Sequence, residues 1–503
     1  MATISRDRFP AAQTLLRASL WAILLAAVTY TSADPDLWGH VRFGLDILRD
    51  ASIARVDPYS FSADRAWINH EWAAEVLAAG AFRIGGNAGL IVLKLSTLAG
   101  MLMLLDTTLR REGVEAVIAR DGIAAVAIVT TMEQGHHVRP ELFSILCFAA
   151  LLWCLTAASR GNPRWLMPLP SLFAVWANLH GGWIVGGAVL SLWTIGLTIG
   201  GARRQAAWCA VAGATALCAT LITPYGLELW RFLRDTVGFG RQDIVEWQPI
   251  YALGWDGWVR WCATLAMGIL GLTLTRRADI RFERLGVVAA LAVASFMVTR
   301  LLAFFALAVL FLFGAALGRA YQRRRAARPA SQRAAPRLGL AAIALAITAA
   351  ATLVIAVNLT HLRVDPRLTP EPGAVAFLKR QPHAGRLLVW FDWGEYALWH
   401  LFPAMRVSID GRRETVYSAS LQDRHLRFYF DAPGGAALPR ELAVDYVWIP
   451  RTLPAARRLA ADDGWQILYE GEQSVIFGRT GLEYPDEPVV ITAATVPRVF
   501  PGP

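Results

Sequence analysis

The sequence predicts an α-helical polytopic membrane protein of about eleven spans with a small extracytoplasmic α/β domain at its C-terminal end. Three observations carry this. Of 503 residues, 55% are hydrophobic and only 17% charged, more apolar side chain than a soluble fold can bury within itself. Arginine clusters fall in alternate connections between apolar runs, the asymmetry of a chain threaded through a bilayer. After residue 358 the long apolar runs stop, and short ones alternate with amphipathic stretches.

Apolar runs long enough to cross a bilayer, or nearly so, lie at 14–31, 87–108, 117–132, 142–157, 166–179, 183–199, 206–223, 258–275, 285–298, 301–317 and 338–357. The first has no small-residue cleavage site leading into a soluble chain and is read as a retained anchor. With the N-terminus cytoplasmic, the inside loops hold Arg110-Arg111, Arg160 to Arg164, Arg203-Arg204, Arg276 to Arg284 and the run Arg319 to Arg337. Loops 32–86 and 225–257, the turns at 133–141 and His180, and the chain after 358 then lie outside. The net charge of +10 is therefore an orientation signal and not a nucleic-acid surface. Five cysteines, all in or beside apolar runs, show neither a disulfide framework nor zinc-ligand spacing.

The domain plan is a multi-span part over 1–358 with a long first outside loop at 32–86, and a basic cytoplasmic linker at 319–337 suited to anionic lipid. An α/β domain at 359–481 and a Pro-rich tail at 482–503 complete it. In the α/β part, strands are expected at 387–391, 406–409, 446–449, 466–469 and 474–477, and helices near 372–381, 421–430 and 453–462. Glu470-Gly471-Glu472 suits a hairpin turn.

The stretch Asp34-Pro35-Asp36-Leu37-Trp38-Gly39-His40 directly follows the first apolar run. Proline between two acids fixes an extended turn and starts a helix on which Asp36 and His40 share a face, while Leu37, Val41, Leu45 and Leu48 form an apolar stripe suited to a membrane surface. Two readings stand: carboxylates acting as base or metal ligand on a lipid-borne substrate, or a turn with a capping aspartate. Further on, His70 directly precedes a second interfacial helix expected from Glu71 to Phe82. The turn from Glu133 to Glu141 sets Glu133, His137 and Arg139 close together, and His180 precedes two glycines that admit a backbone or a ligand. Glu246 is a further outer acid. Arg300 and Lys94 are cations at outer span ends, suited to a phosphate. Asp34, Asp36, Glu133 and His137 are the set available to a divalent ion, Mg or Mn. In the C-terminal domain Asp392 and Asp410 follow strand-like runs, and Asp410-Gly411-Arg412 is a turn able to face an anion; this domain is expected to be structural or to dock an acceptor.

These features resemble the GT-C superfamily of membrane glycosyltransferases, which includes oligosaccharyltransferases, protein O-mannosyltransferases and aminoarabinose-lipid A transferases. The likeness rests on Asp34-Pro35-Asp36 in a long first outside loop, the acidic turn Glu133 to Glu141, and a multi-span core followed by an outer domain. Trp390-Phe391-Asp392-Trp393-Gly394-Glu395-Tyr396 with Ile409-Asp410-Gly411-Arg412 looks like a segment found in many bacterial members. The Trp-Trp-Asp motif of oligosaccharyltransferases is absent. The resemblance implies a sugar moved with inversion from a polyprenyl-phosphate donor to an extracytoplasmic glycan, lipid or protein, in the bacterial inner membrane among membrane lipids. Asp36 or Asp34 would be the base, His40, His70, Glu71, Glu133, His137, His180 and Glu246 would support it, and Arg139, Arg300 and Lys94 would bind phosphate. A transporter or flippase and an O-antigen-polymerase-type protein are the alternative classes. The first predicts internal repeats and mid-membrane charges, whereas here the polar clusters sit at span ends.

Overall fold

The computed structural model describes residues 8–236, 244–327, 338–382, 384–484 and 499–502. The linker from 328 to 337 and the tail from 485 to 498 lie outside the described residues, as does the side chain of Glu133. The chain divides into two compact units. One comprises 1–31, 90–226 and 241–360; the other comprises 32–89, 227–240 and 361–503.

A helix stands at each expected apolar run: Arg8–Thr29, Trp72–Arg111, Val117–Thr130, Glu141–Ala158, Leu169–Leu179, Trp183–Ile199, Arg203–Ala219, Trp255–Leu274, Phe282–Met297, Leu302–Ala327 and Leu338–Asn358. Among the described residues three stretches are long and apolar enough to cross a membrane: Trp72–Arg111, Glu141–Ala158 and Thr299–Ala327. Helix Trp72–Arg111 joins the expected interfacial helix to the second span, and it breaks at Gly86, where φ is 55° and only glycine sits without strain.

In the first unit helix Leu302–Ala327 is apolar on every side from Leu302 to Ala316 and is correspondingly buried on every side over that stretch. Small residues let its neighbours approach: a Cβ on Gly271 would lie 2.7 Å from Phe313 Cβ, and one on Gly318 would lie 2.6 Å from Val114 Cγ1. In this unit Arg284 of helix Phe282–Met297 donates to Glu112 (3.0 Å) and Arg319 of helix Leu302–Ala327 also faces it, so arginines from two helices meet at one acid.

The second unit is built on a mixed sheet. Its strands are β1 (Gly385–Val389), β2 (Met405–Val407), β3 (Tyr446–Pro450), β4 (Trp465–Glu470) and β5 (Ser474–Arg479), in the order β2-β1-β3-β5-β4. β1 runs parallel to β2 and β3, while β5 is antiparallel to β3 and β4. Tyr446 to Ile449 are fully buried, as a central strand covered on both faces requires. Helices Pro372–Leu378, Ala419–Tyr429 and Pro454–Ala460 fall where the periodicity puts them.

The first loop and the C-terminal segment share this unit. Tyr59 to Phe61 pairs with Val407 along the outer edge of β2, capping it (Val407 N to Tyr59 O and Phe61 N to Val407 O, both 3.2 Å). Near the C-terminus Phe500 packs on Trp38, and Trp38 Nε1 donates to the Pro501 carbonyl at 2.7 Å. Leu37 and Val41 of the expected membrane stripe are therefore buried in protein, while Leu48 is exposed.

Candidate functional site

In the second unit, helix Leu37–Asp50 begins at Asp36. Asp36 stands at the N-cap, yet its side chain makes no capping hydrogen bond. The carboxylate is instead directed to Gly411. A Cβ there would collide with Asp36 Oδ1 and lie 2.9 Å from Glu395 Oε1, so only glycine allows the two carboxyls to flank this Cα. Glu395 belongs to helix Gly394–Leu401, which periodicity alone did not reveal. Its Oε2 accepts from Gly39 N at 3.0 Å, and a Cβ on Gly39 would strike that carboxyl. Gly394 completes the fit: a Cβ on it would lie 2.6 Å from Asp410 Cα. Three glycines, one in each of Asp34–His40, Trp390–Tyr396 and Ile409–Arg412, thus let the three segments interlock around acids.

Glu395 is 3% exposed. Burial, followed by the charges of Asp36 and Asp410, raises its carboxyl well above the usual carboxylate range; Arg412 opposes the shift and Asp34 adds to it. Asp34 is buried as well.

Asp410 and Arg412 form a saturated ion cluster. Arg412 Nε donates to Asp410 Oδ1 (2.9 Å) and Nη2 to Asp410 Oδ2 (2.6 Å), while Nη1 and Nη2 reach Asp57 Oδ1 and Oδ2 at 2.7 and 2.9 Å. Tyr417 Oη donates to Asp410 Oδ2 at 2.8 Å, and Tyr59 N and Ser60 N donate to Asp57. The guanidinium also lies over the rings of Phe43, Tyr59 and Trp67. The turn expected to face an anion turns its arginine to two carboxylates. Asp57 carried no expectation. Asp392 accepts locally from Trp390 Nε1 at 3.2 Å.

His40 lies 3.6 Å from Glu75 Oε1, and Asn69 Nδ2 donates to the other oxygen of Glu75 at 2.6 Å. Burial disfavours the imidazolium, but the Glu75 carboxylate and the charges of Glu71 and Asp36 outweigh it and push His40 up to about 9. Gly44 permits the approach, since a Cβ there would lie 2.5 Å from the Glu75 carbonyl carbon. His70 lies 3.6 Å from Glu71 and packs on Phe232.

In the first unit, four residues expected at separate outer turns come together. Arg300 Nη1 donates to Glu246 Oε1 at 2.8 Å, and Arg139 Nη1 reaches Glu246 Oε2 at 3.3 Å. Arg300 Nη2 lies 3.3 Å from His180 Nε2 and 3.6 Å from Glu141 Oε2. His180 Nδ1 is 2.7 Å from Ser144 Oγ, which accepts from Trp176 Nε1. Lys94 is fully buried and donates to Tyr30 O (3.0 Å) and Thr31 Oγ1 (2.8 Å), pinning the end of the first helix. His137 is half-buried in its turn.

Of the residues expected to hold Mg or Mn, Asp34 and Asp36 belong to one unit and Glu133 and His137 to the other, with the Glu133 side chain outside the described residues. Among the described residues no group of three or more His, Cys, Asp or Glu is arranged to hold a metal ion.

No family model and no curated protein sequence matches the chain. Solved structures do. A crystal structure of ArnT from Cupriavidus metallidurans in the apo state matches with a TM-score of 0.54 at 12% identity, over 93% of this chain and 98% of that one. The same protein bound to undecaprenyl phosphate matches with a TM-score of 0.50 at 12% identity, over 94% and 98%. A cryo-EM structure of the arabinofuranosyltransferase AftD from Mycobacteria gives 0.49 at 14% identity, over 95% of this chain and 42% of that one. The similarity to ArnT extends over nearly the whole of both chains and shows a shared fold.

Proposed function

We propose that this protein is a membrane glycosyltransferase that moves a sugar from a polyprenyl-phosphate donor to an extracytoplasmic acceptor, with Asp36 as the catalytic carboxylate and Asp34 as the second choice. The observation that carries this reading is the state of Asp36. It holds a capping position without capping, and residue 411 is a glycine at a place where any side chain would strike its carboxylate. A turn-forming aspartate needs neither feature. The fold shared with ArnT supports the same chemistry, and the undecaprenyl phosphate bound by ArnT supports a polyprenyl phosphate as lipid partner.

In the proposed step the acceptor hydroxyl gives its proton to Asp36 as its oxygen bonds to the anomeric carbon. The bond from that carbon to the phosphate oxygen breaks on the opposite face, and the phosphate leaves with the electron pair, which inverts the sugar. His40, protonated beside Glu75, keeps a positive charge near Asp36 and favours its ionised form. A phosphate-binding role is proposed for Arg139 and Arg300 on the chemistry of that pair alone: two guanidiniums already share one carboxylate, and a phosphate offers the same oxygens with more charge.

Removing Arg300 tests this assignment. Hydrogen bonds to a charged group contribute about 1.5–3 kcal/mol, so Arg300→Ala is expected to weaken undecaprenyl phosphate binding roughly tenfold or more. Native mass spectrometry of the purified protein with added undecaprenyl phosphate reads the change; equal occupancy in variant and wild type would remove Arg300 from the donor site. Consumption of a polyprenyl-phosphate sugar by the protein in detergent, where no ion gradient exists, separates transfer from transport.

The proposed location is the bacterial inner membrane with the N-terminus cytoplasmic and residues 359–503 outside. The convergence of Arg284 and Arg319 on Glu112 supports a single basic end for the helical unit. Reporter fusions at Arg328 and after Phe477 are expected to give opposite signals, and equal signals would overturn this orientation.

A further inference from the structure

Two carboxyls, Asp36 and Glu395, flank the Cα of Gly411, and among the described residues no cation forms an ion pair with Glu395. Arg412 directs its donors to Asp410 and Asp57. The hydrogen bond on Glu395 comes from the Gly39 N–H, to Oε2, which leaves Oε1 on the Gly411 side with Asp36. The acids that face Glu395 from the packed elements, Asp34 and Asp36 ahead of helix Leu37–Asp50 and Asp410 beyond β2, all carry the same sign. A carboxyl buried as Glu395 is, and facing acids of the same sign, keeps its proton, because burial removes the solvent that would screen the charges.

We propose that Glu395 is the protonated member of a carboxyl pair with Asp36, and that it acts as a positioning residue by keeping its proton on the Gly411 side and leaving the charge on Asp36. The sequence offered one signal for it, a glycine directly before an acid in Trp393-Gly394-Glu395. Structurally the division of labour follows from position. Glu395 is sealed in and held by one amide, while Asp36 is half-buried at a helix start with the His40 imidazolium on the next turn. Of the pair, Asp36 is the cheaper site for the charge. A neutral Glu395 also removes the rival base: during transfer it neither gains nor loses its proton, and the acceptor's proton goes to Asp36. That last consequence rests on the proposed function; the protonation of Glu395 does not.

The test is infrared spectroscopy of the full-length protein in lipid nanodiscs, reading the carbonyl stretch of a protonated carboxyl as pH is raised. Wild type is expected to show this band at neutral pH, and Glu395→Gln is expected to lack it. In Asp36→Asn the neighbouring charge is gone, so the Glu395 band is expected to disappear at a lower pH than in wild type. No band in wild type at neutral pH, a band that survives Glu395→Gln, or a midpoint unmoved by Asp36→Asn would each overturn the pair. Should Glu395→Gln fail to fold, the wild-type band and the Asp36→Asn shift still decide. A band that behaves as expected in a protein without transferase activity would retain the pair and refute the proposed function.

Discussion

Arg412→Ala is expected to lower the stability of this protein by about 3–5 kcal/mol, the cost of leaving buried carboxylates without their cation. Asp410 and Asp57 are both buried, and both lose charge-assisted hydrogen bonds to the same guanidinium. Phe43, Tyr59 and Trp67 also lose the plane on which they pack. Asp57 lies 355 residues away in the chain, in the first loop, so the loss falls on the attachment of that loop to the sheet. An exposed pair supplies the control. Arg424 reaches Glu441 with both side chains largely in solvent, and its replacement by Ala is expected to cost no more than about 1 kcal/mol. Thermal unfolding in detergent, followed by limited proteolysis between 50 and 70, compares the two variants; equal melting points would show that Arg412 is not a structural tie.

This cluster also marks where sequence reasoning stops. The five strands and three flanking helices of the C-terminal domain were legible, because their alternation and apolar runs report local burial directly. Helix Gly394–Leu401 was not, since its eight residues are too few for a helical period to stand out beside the strand before it. The sequence marked Asp410 and Arg412 as a site but held no local cue to Asp57, and pairing across hundreds of residues leaves no periodicity to read. Glu395 was visible only as part of a motif. What identifies it in the structure is a relation among Gly39, Gly394 and Gly411, each beside an acid or packed on one. A glycine adjoining an acid in two separated segments, Gly394-Glu395 and Asp410-Gly411, is a usable signal, although its meaning emerges only when the segments meet. The outer turns show the opposite case. Arg139, His180, Glu246 and Arg300 were grouped by side of the membrane alone, and they lie within hydrogen-bond or ion-pair reach of one another.

The second large effect concerns the reaction. Removing a positioned general base usually lowers the rate about 10²–10⁴-fold, whereas removing a helix cap costs on the order of 1 kcal/mol of stability and spares turnover. Asp36→Asn separates these outcomes. It keeps the size of the side chain and its ability to accept a hydrogen bond, and it replaces a base with an amide that cannot take the acceptor's proton. Because Asp36 makes no capping hydrogen bond, the variant is expected to unfold at nearly the wild-type temperature. Asp34 is buried two residues earlier and is the group best placed to stand in, so the decisive variant removes both.

The most direct test is the turnover of polyprenyl-phosphate sugars in membrane vesicles carrying either the wild type or the Asp34→Asn, Asp36→Asn double variant, at matched levels of folded protein. The expected result is a fall of at least about 10²-fold in the double variant. Wild-type turnover by a well-folded double variant would contradict the assignment and leave Asp34-Pro35-Asp36 as a turn.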